Sequence, residues 1–326
     1  AGVVFMQAFL FILTNNIIPI FLMISAGYLL NKKFNLDILT LSKLNFYIFV
    51  PSFILTNLYT THIPVDMLKV LFFAVLMVLI NMIVGNLIAN IKGYDTALKS
   101  AFVNSIMFYN SGNVGLPLIT LVFSNAPYII DGQTPYLELA VTTQITVMAV
   151  QNITTNPLGF FNAGRAKLHW KDSIGKIARM PVIYAIPTAF LLKTLPFDFT
   201  QLPVWPALQY ARNAMIAIAL LALGVQLSKT SFEFKNKDVY LAVAIRLLGG
   251  PLLAFILIQL FHFDGVIAQT LLISSSVPTA VNCALIAVEY NNRPDFASQE
   301  VATSTLLSAI SLAIVIYMAR VLFPII

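Results

Sequence analysis

Asn104-Ser105-Ile106-Met107-Phe108-Tyr109-Asn110-Ser111-Gly112-Asn113-Val114-Gly115-Leu116-Pro117 runs through the middle of a stretch that is otherwise apolar enough to cross a bilayer. Its last eight residues hold two Gly, two Asn and one Pro. Pro117 removes a backbone donor, and its ring clashes with the carbonyl four residues earlier. Gly112 and Gly115 supply backbone freedom just before it. Carbonyls freed in this way are costly in hydrocarbon unless they line a cavity or meet other protein. The sequence therefore predicts a broken helix here, interrupted around Asn113 to Pro117 and held inside a bundle.

The rest of the chain supplies the membrane setting. Of 326 residues, 59% are hydrophobic and 10% are charged, whereas soluble domains carry about a quarter charged residues. Crossing the hydrocarbon layer takes about 20 residues of helix. Stretches of this kind lie at roughly 4–30, 38–60, 67–91, 101–124, 136–160, 180–195, 205–228, 237–261, 267–290 and 299–323. Helices are expected because an open sheet edge cannot be satisfied in lipid. The sixth stretch is short and carries Pro181 and Pro187. No basic segment or small-residue cleavage site accompanies the first apolar run, which reads as a span rather than a signal peptide. Three His and the single Cys283 leave neither a disulfide framework nor a Cys-rich metal site within the chain.

Loop charge sets the expected orientation. Lys32, Lys33, Lys92, Lys99, Arg165, Lys167, Lys171, Lys176, Arg179, Lys229, Lys235, Lys237 and Arg293 follow the odd-numbered spans. The opposite loops have only Lys69 and Lys193 at span edges and Asp131 in 125–135. Positive-inside bias puts the odd loops in the cytoplasm and both termini outside. The net charge of +6 thus reflects membrane topology rather than a nucleic-acid partner. A basic connection at 161–179 divides the chain into 1–160 and 180–326. Five spans on each side force the halves to insert in opposite senses, so an all-α protein of two inverted five-helix repeats is expected.

The ninth span carries a counterpart to the opening stretch, Ser274-Ser275-Ser276-Val277-Pro278-Thr279-Ala280-Val281-Asn282. Interruptions in the fourth span of each half point to a midplane binding site in a transporter. Half-helix N-termini favour a carboxylate there. The candidates are Asn110, Ser111, Gly112, Asn113, Gly115 and Pro117, with Ser276, Pro278, Thr279 and Asn282. Kinked packing helices are the plainer alternative, since Gly and Ser are common at helix interfaces. Gln144 joins the candidates; it shares a face of span five with Gln151, followed by Asn152 and Asn156. Asn45 and Asn57, either side of Pro51 in span two, read as packing residues.

Arg246 lies about nine residues into span eight, some 13 Å deep at helical rise. A midplane Arg costs at least ~2.5 kcal/mol and should have a partner. It either attracts an anion or contacts carbonyls freed near Pro251, and the second reading is preferred. Glu138 and Glu300 are expected at the starts of spans five and ten, and Glu289 at the end of span nine. All three then lie near a surface, which leaves no carboxylate at mid-membrane. There is no phosphate-cradling loop, no paired intramembrane Asp and no His-based metal spacing, so neither an enzyme nor an ATP-driven pump is expected.

Five stretches together resemble the auxin efflux carrier family, which includes plant PIN-type carriers and bacterial malate or malonate permeases. They are Leu44-Asn45 with Val50-Pro51, Asn113 to Pro117, Leu223-Gly224, Arg246 to Pro251, and Pro278 with Val288-Glu289-Tyr290-Asn291 and Pro294-Asp295. The resemblance spans essentially the whole chain. It implies a bile-acid/sodium symporter-like fold in which helices four and nine cross at their broken centres beside the substrate. It also implies a scaffold of spans 1, 2, 6 and 7, a transport domain of spans 3–5 and 8–10 that moves as an elevator, and a homodimer formed through the scaffold. The plant carriers' long hydrophilic loop is absent, which favours a prokaryotic, metabolite-type member in the cytoplasmic membrane, and the run Asn110 to Asn113 departs from the plant carriers.

The leading expectation is a secondary carrier of small organic anions, carboxylates such as malate, malonate or auxin-like acids. A carrier of neutral or lipid-like solutes, or a non-transporting sensor, stands as the alternative. No cofactor is expected. Coupling to sodium or protons is left open, with uniport preferred for want of a midplane carboxylate.

Overall fold

Four prolines shape the long helices of this protein, seen in a computed structural model that describes residues 2–162, 174–175, 177–232 and 235–325. Arg165, Lys167, Lys171 and Lys176 of the basic connection lie outside the described residues. Pro19, Pro51, Pro117 and Pro251 each follow a π-turn, at Leu13–Ile17, Asn45–Phe49, Ser111–Gly115 and Ile245–Gly249. In each case the residue just before the proline donates its N–H five residues back, as Leu116 does to Ser111. The wide turn moves the carbonyl that the ring would strike, so the helix continues past the proline. Pro117 therefore does not break its helix, contrary to expectation.

Helix α1 joins Gly2–Ile12 and Ile18–Phe34 through its π-turn, and α2 likewise joins Ile38–Leu44 and Val50–Thr60. After α3 (Met67–Ile91) come α4 (Thr96–Met107) and α5 (Leu116–Phe123), the latter entered through the turn at 111–115. Then follow α6 (Leu137–Asn162), α7 (Pro181–Lys193) and α8 (Val204–Leu227). Helix α9 joins Lys237–Ala244 and Gly250–Phe261, and is followed by α10 (Gly265–Ser274), α11 (Val281–Tyr290) and α12 (Pro294–Leu322). Six helices are long and apolar enough to cross a membrane among the described residues: Phe5–Phe34, Ile38–Thr60, Met67–Ile91, Val204–Leu227, Lys237–Phe261 and Pro294–Leu322. Ser111–Phe123, Pro181–Lys193 and Gly265–Ser274 are shorter apolar pieces. Helix α12 starts at Pro294, ahead of the expected 299, and that shift carries Glu300 into the bundle.

The loops pair at the two ends of the helices. At one end Lys229 Nζ donates to the Leu36 carbonyl at 3.4 Å, Tyr94 to Asp238, and Arg293 to Asp95. At the other, Lys193 Nζ donates to the Thr61 carbonyl, Gln269 Nε2 to the Phe323 carbonyl at 2.7 Å, and Arg320 Nε to the Tyr128 hydroxyl at 3.2 Å. Helices α1 and α8 pack closely because Gly27 faces the Leu221 carbonyl and Gly224 faces that of Ile24, where a Cβ would overlap either oxygen. One core cluster joins Phe53 and Ile54 of α2, Met148 of α6, Ala185 of α7 and Met215 of α8. The largest cluster joins α1 and α3 to α10, α11 and α12 through residues such as Ile17, Phe73, Leu271, Cys283 and Ile316.

Candidate functional site at the paired helix breaks

Helix α4 stops at Met107 and α10 at Ser274, and the gaps that follow them meet. Asn110 N–H donates to the Pro278 carbonyl at 2.8 Å, and Ala280 N–H to the Phe108 carbonyl at 3.0 Å. Tyr109 and Thr279 thereby form an antiparallel bridge. Tyr109 N–H donates to Gln151 Oε1 (3.1 Å) and Thr279 N–H to Ser304 Oγ (3.2 Å). Each gap thus satisfies the other's backbone, with two side chains completing the set. This is the condition under which irregular backbone is tolerated at membrane depth.

The C-terminal ends of α4 and α10 lie on one side of this junction. Arg246, fully buried in the π-turn of α9, donates Nη1 to the Ile106 carbonyl at 2.8 Å and Nη2 to the Ser275 carbonyl. Its guanidinium also stands 4.8 Å from the Tyr109 ring centroid. Gly250 makes the room: a Cβ there would overlap Nη2 and stand 2.7 Å from the Ser275 oxygen. A helix C-terminus is equivalent to about half a negative charge, so two of them compensate one guanidinium.

The N-terminal ends of the second halves face the other way, onto a cavity of about 320 Å³. Asn110 to Asn113 and Ala280 to Asn282 line it from the junction. Ser42, Lys43 and Asn45 of α2, Gln151, Asn152 and Thr155 of α6, and Gln226 of α8 supply its polar wall. The Asn110 side chain caps the first turn by accepting from Asn113 N–H at 3.2 Å. Ala280 offers α11 no side-chain acceptor, and the Cys283 N–H turns back to the Ala280 carbonyl at 3.0 Å. Asn45 Nδ2 reaches Asn113 Oδ1 at 3.5 Å across the cavity. Positive helix ends and amide side chains are groups that favour an anion.

A family model described as "Membrane transport protein" matches residues 12–171 and 170–316. The chain belongs to this family of auxin efflux carrier-like membrane transport proteins. An "Uncharacterized transporter" of Methanothermobacter thermautotrophicus is 26% identical over 92% of this chain and 96% of its own. A "Putative malonate transporter" of Rhizobium meliloti is 27% identical over 44% of this chain and 45% of its own.

The candidate residues of this membrane transport protein fall into two groups. Asn110, Ser111, Gly112, Asn113 and Asn282 line the cavity. Gly115, Pro117, Gln144, Ser276, Pro278 and Thr279 are not among its lining residues, and of these Pro278 and Thr279 build the junction. Gln144 donates to the Ser111 carbonyl at 2.8 Å, and a Cβ on Gly115 would stand 2.5 Å from Gln144 Nε2. Ser276 Oγ turns back to the Leu272 carbonyl at 2.6 Å. Arg246 has the fixed carbonyl contacts anticipated for it, but they come from the two breaks rather than from near Pro251.

Three sequence expectations need correction. The gap in the fourth stretch lies at Phe108 to Asn110, ahead of the anticipated position, because the π-turn absorbs Pro117. Asn45 is a cavity residue rather than a packing residue, whereas Asn57 does pack, accepting from Thr142 Oγ1 at 3.2 Å. Glu300 is fully buried, with Oε1 2.8 Å from Thr279 Oγ1, instead of near a surface. Its position in α12, six residues past the helix-starting Pro294, was the available sign: nearly two turns of helix carry it inward.

Proposed function

We propose that this transporter carries small organic anions of the carboxylate class, with one carboxylate held at the α5 and α11 N-termini by Asn113 and Asn282. The observation that carries the reading is the division of helix ends at the junction. The negative ends are occupied by Arg246, and the positive ends open on the cavity. The apolar part of the wall, including Phe46, Val50, Leu223 and Leu285, suits an aliphatic or aromatic body behind the charged group. The name of the Rhizobium relative, a "Putative malonate transporter", agrees with a dicarboxylate.

The motion is an elevator. Spans 3–5 and 8–10, which hold the junction, slide against a scaffold of spans 1, 2, 6 and 7 within two inverted repeats of five spans. The cavity between α2, α8 and the junction supports that division, since it has one wall from each body. The scaffold forms a homodimer in a prokaryotic cytoplasmic membrane, with the basic loops inside and both termini outside.

Purified protein in liposomes tests the substrate class by uptake of labelled malonate, malate and indole-acetate, with malonamide as the neutral comparison. Saturable carboxylate flux is expected. Asn113→Ala and Asn282→Ala each lower it about ten- to hundredfold, the loss of one hydrogen bond to a charged group. Flux of the neutral compound alone, from a folded preparation, overturns the anion reading.

A further inference from the structure

Thr279 Oγ1 stands 2.8 Å from two oxygens, the Ser105 carbonyl and Glu300 Oε1. A hydroxyl has one hydrogen to donate. The Ser105 carbonyl needs it. Its ordinary helical partner would be Tyr109 N–H, but the break turns that group to Gln151. With the Thr279 hydrogen on Ser105, the short contact to Glu300 is a hydrogen bond only if the carboxyl donates. Glu300 Oε2, also buried, has no hydrogen-bond partner within bonding distance among the described residues. An ionised carboxylate in that position would be left half unsolvated, which costs far more than a neutral acid.

The charges around Glu300 agree with this assignment. Arg246 on the α9 π-turn and the Cys283 thiol on α11 are the ionisable groups that act on it electrostatically. Each terminal nitrogen of Arg246 donates to a carbonyl, and no ion pair joins it to Glu300 among the described residues. The helix ends that compensate the guanidinium leave it no need of a second counter-ion. Lys99 on α4 and Lys237 and Asp238 on α9, elements packed against α12, lie near the ends of those helices. Helix α1 carries Tyr28 as its one ionisable side chain between residues 2 and 31.

We infer that Glu300 carries a proton when the two breaks are paired as seen here, and that it is the proton-carrying group of this transporter. The chain runs from the Glu300 carboxyl to Thr279 Oγ1 to the Ser105 carbonyl. Thr279 is joined through the extended Ala280 to Val281 and Asn282, the first residues of α11 in the cavity wall. A proton on Glu300 therefore holds the peptide that presents the anion's N–H donors. Release of that proton leaves a buried anion that draws on the Thr279 and Ser105 hydroxyls, which unpairs the Ser105 carbonyl and loosens the same peptide. Taking up the proton on one side and releasing it on the other makes the carrier an anion–proton symporter.

The proton's place and its coupling are tested separately, because the coupling rests on the anion reading and the protonation does not. Infrared difference spectra of wild type minus Glu300→Gln are expected to contain, at neutral pH, the carbonyl stretch of a protonated carboxylic acid that shifts in heavy water. Glu300→Asp should displace that band, which keeps the assignment secure if the Gln variant folds poorly. Absence of the band from wild type at neutral pH overturns the proposal. In liposomes at zero membrane potential, one pH unit should support about tenfold accumulation of a monoanion with 1:1 coupling. The ratio of pH-driven flux to counterflow should collapse in Glu300→Gln. Counterflow without any response to the pH gradient in wild type, or the same response in both proteins, overturns the coupling. If no carboxylate moves under either condition, the anion reading fails and the infrared result still decides the proton.

Discussion

The peptide N–H of Asn110 donates to the carbonyl of Pro278 at 2.8 Å, and this bond ties the gap in one helix to the gap in another. Its partner, from Ala280 to Phe108, makes the tie reciprocal. Two interruptions that would each be costly alone in lipid become a stable junction together. Its polarity follows from chain direction, with negative helix ends toward Arg246 and positive ends toward the cavity.

Arg246 and Gly250 should behave as one unit. Arg246→Ala leaves the buried Ile106 and Ser275 carbonyls without a donor, at about 1–3 kcal/mol each. Gly250→Ala displaces the guanidinium and should cost about 1–3 kcal/mol by overpacking. In the Arg246→Ala background the second substitution should cost much less, because the atoms it strikes are gone. Thermal unfolding in detergent of the two single variants and the double variant measures this. Additive losses would show that the two residues act apart.

Asn45 and Asn113 face each other across the cavity from the two bodies that the elevator reading sets in relative motion. Cysteines at both positions, with Cys283 replaced by Ala, should arrest flux on oxidation and regain it on reduction. The single-cysteine proteins serve as controls. Full flux with the cross-link in place would rule out sliding between these two elements.

The contact of α1 with α8 depends on the absence of two Cβ atoms. Gly224→Ala would drive its methyl into the Ile24 carbonyl, and a loss of about 1–3 kcal/mol is expected. Gly249→Ala is the control, since a Cβ there meets only Ile245 Cγ2 at 3.6 Å. A fall in melting temperature confined to the Gly224 variant supports the packing account. Equal melting temperatures would contradict it.

At the basic end, the Leu98 N–H and the Arg293 guanidinium hold the Asp95 carboxyl below its usual range. A depressed folded-state pKa contributes stability that is full above the unfolded value and is lost as pH falls through the folded value. Wild type should therefore melt above Asp95→Asn at neutral pH, and the two should converge in acid, below the ordinary carboxylate range. A constant gap across that range would exclude this linkage.

Much of the fold was legible before any coordinates. The helix-length apolar stretches, the cation-rich alternate loops and the paired interruptions could all be read from residue type and spacing. Asn113 and Asn282 were found in this way and do line the cavity. The position of the first gap was misread because a proline was taken as the breakpoint, while a π-turn can absorb one. Asn45 looked like packing because its role depends on what stands opposite it.

The chain by itself determined that the protein is a helical membrane protein with two special segments, since hydropathy and proline content are local properties. Only tertiary structure decided that those segments pair with each other, that Arg246 closes their negative ends, and that Glu300 is buried behind Thr279. Burial and partnership depend on which elements pack together. A carboxylate near the start of a span reads as exposed until the helix that carries it is seen to begin earlier and to enter the bundle.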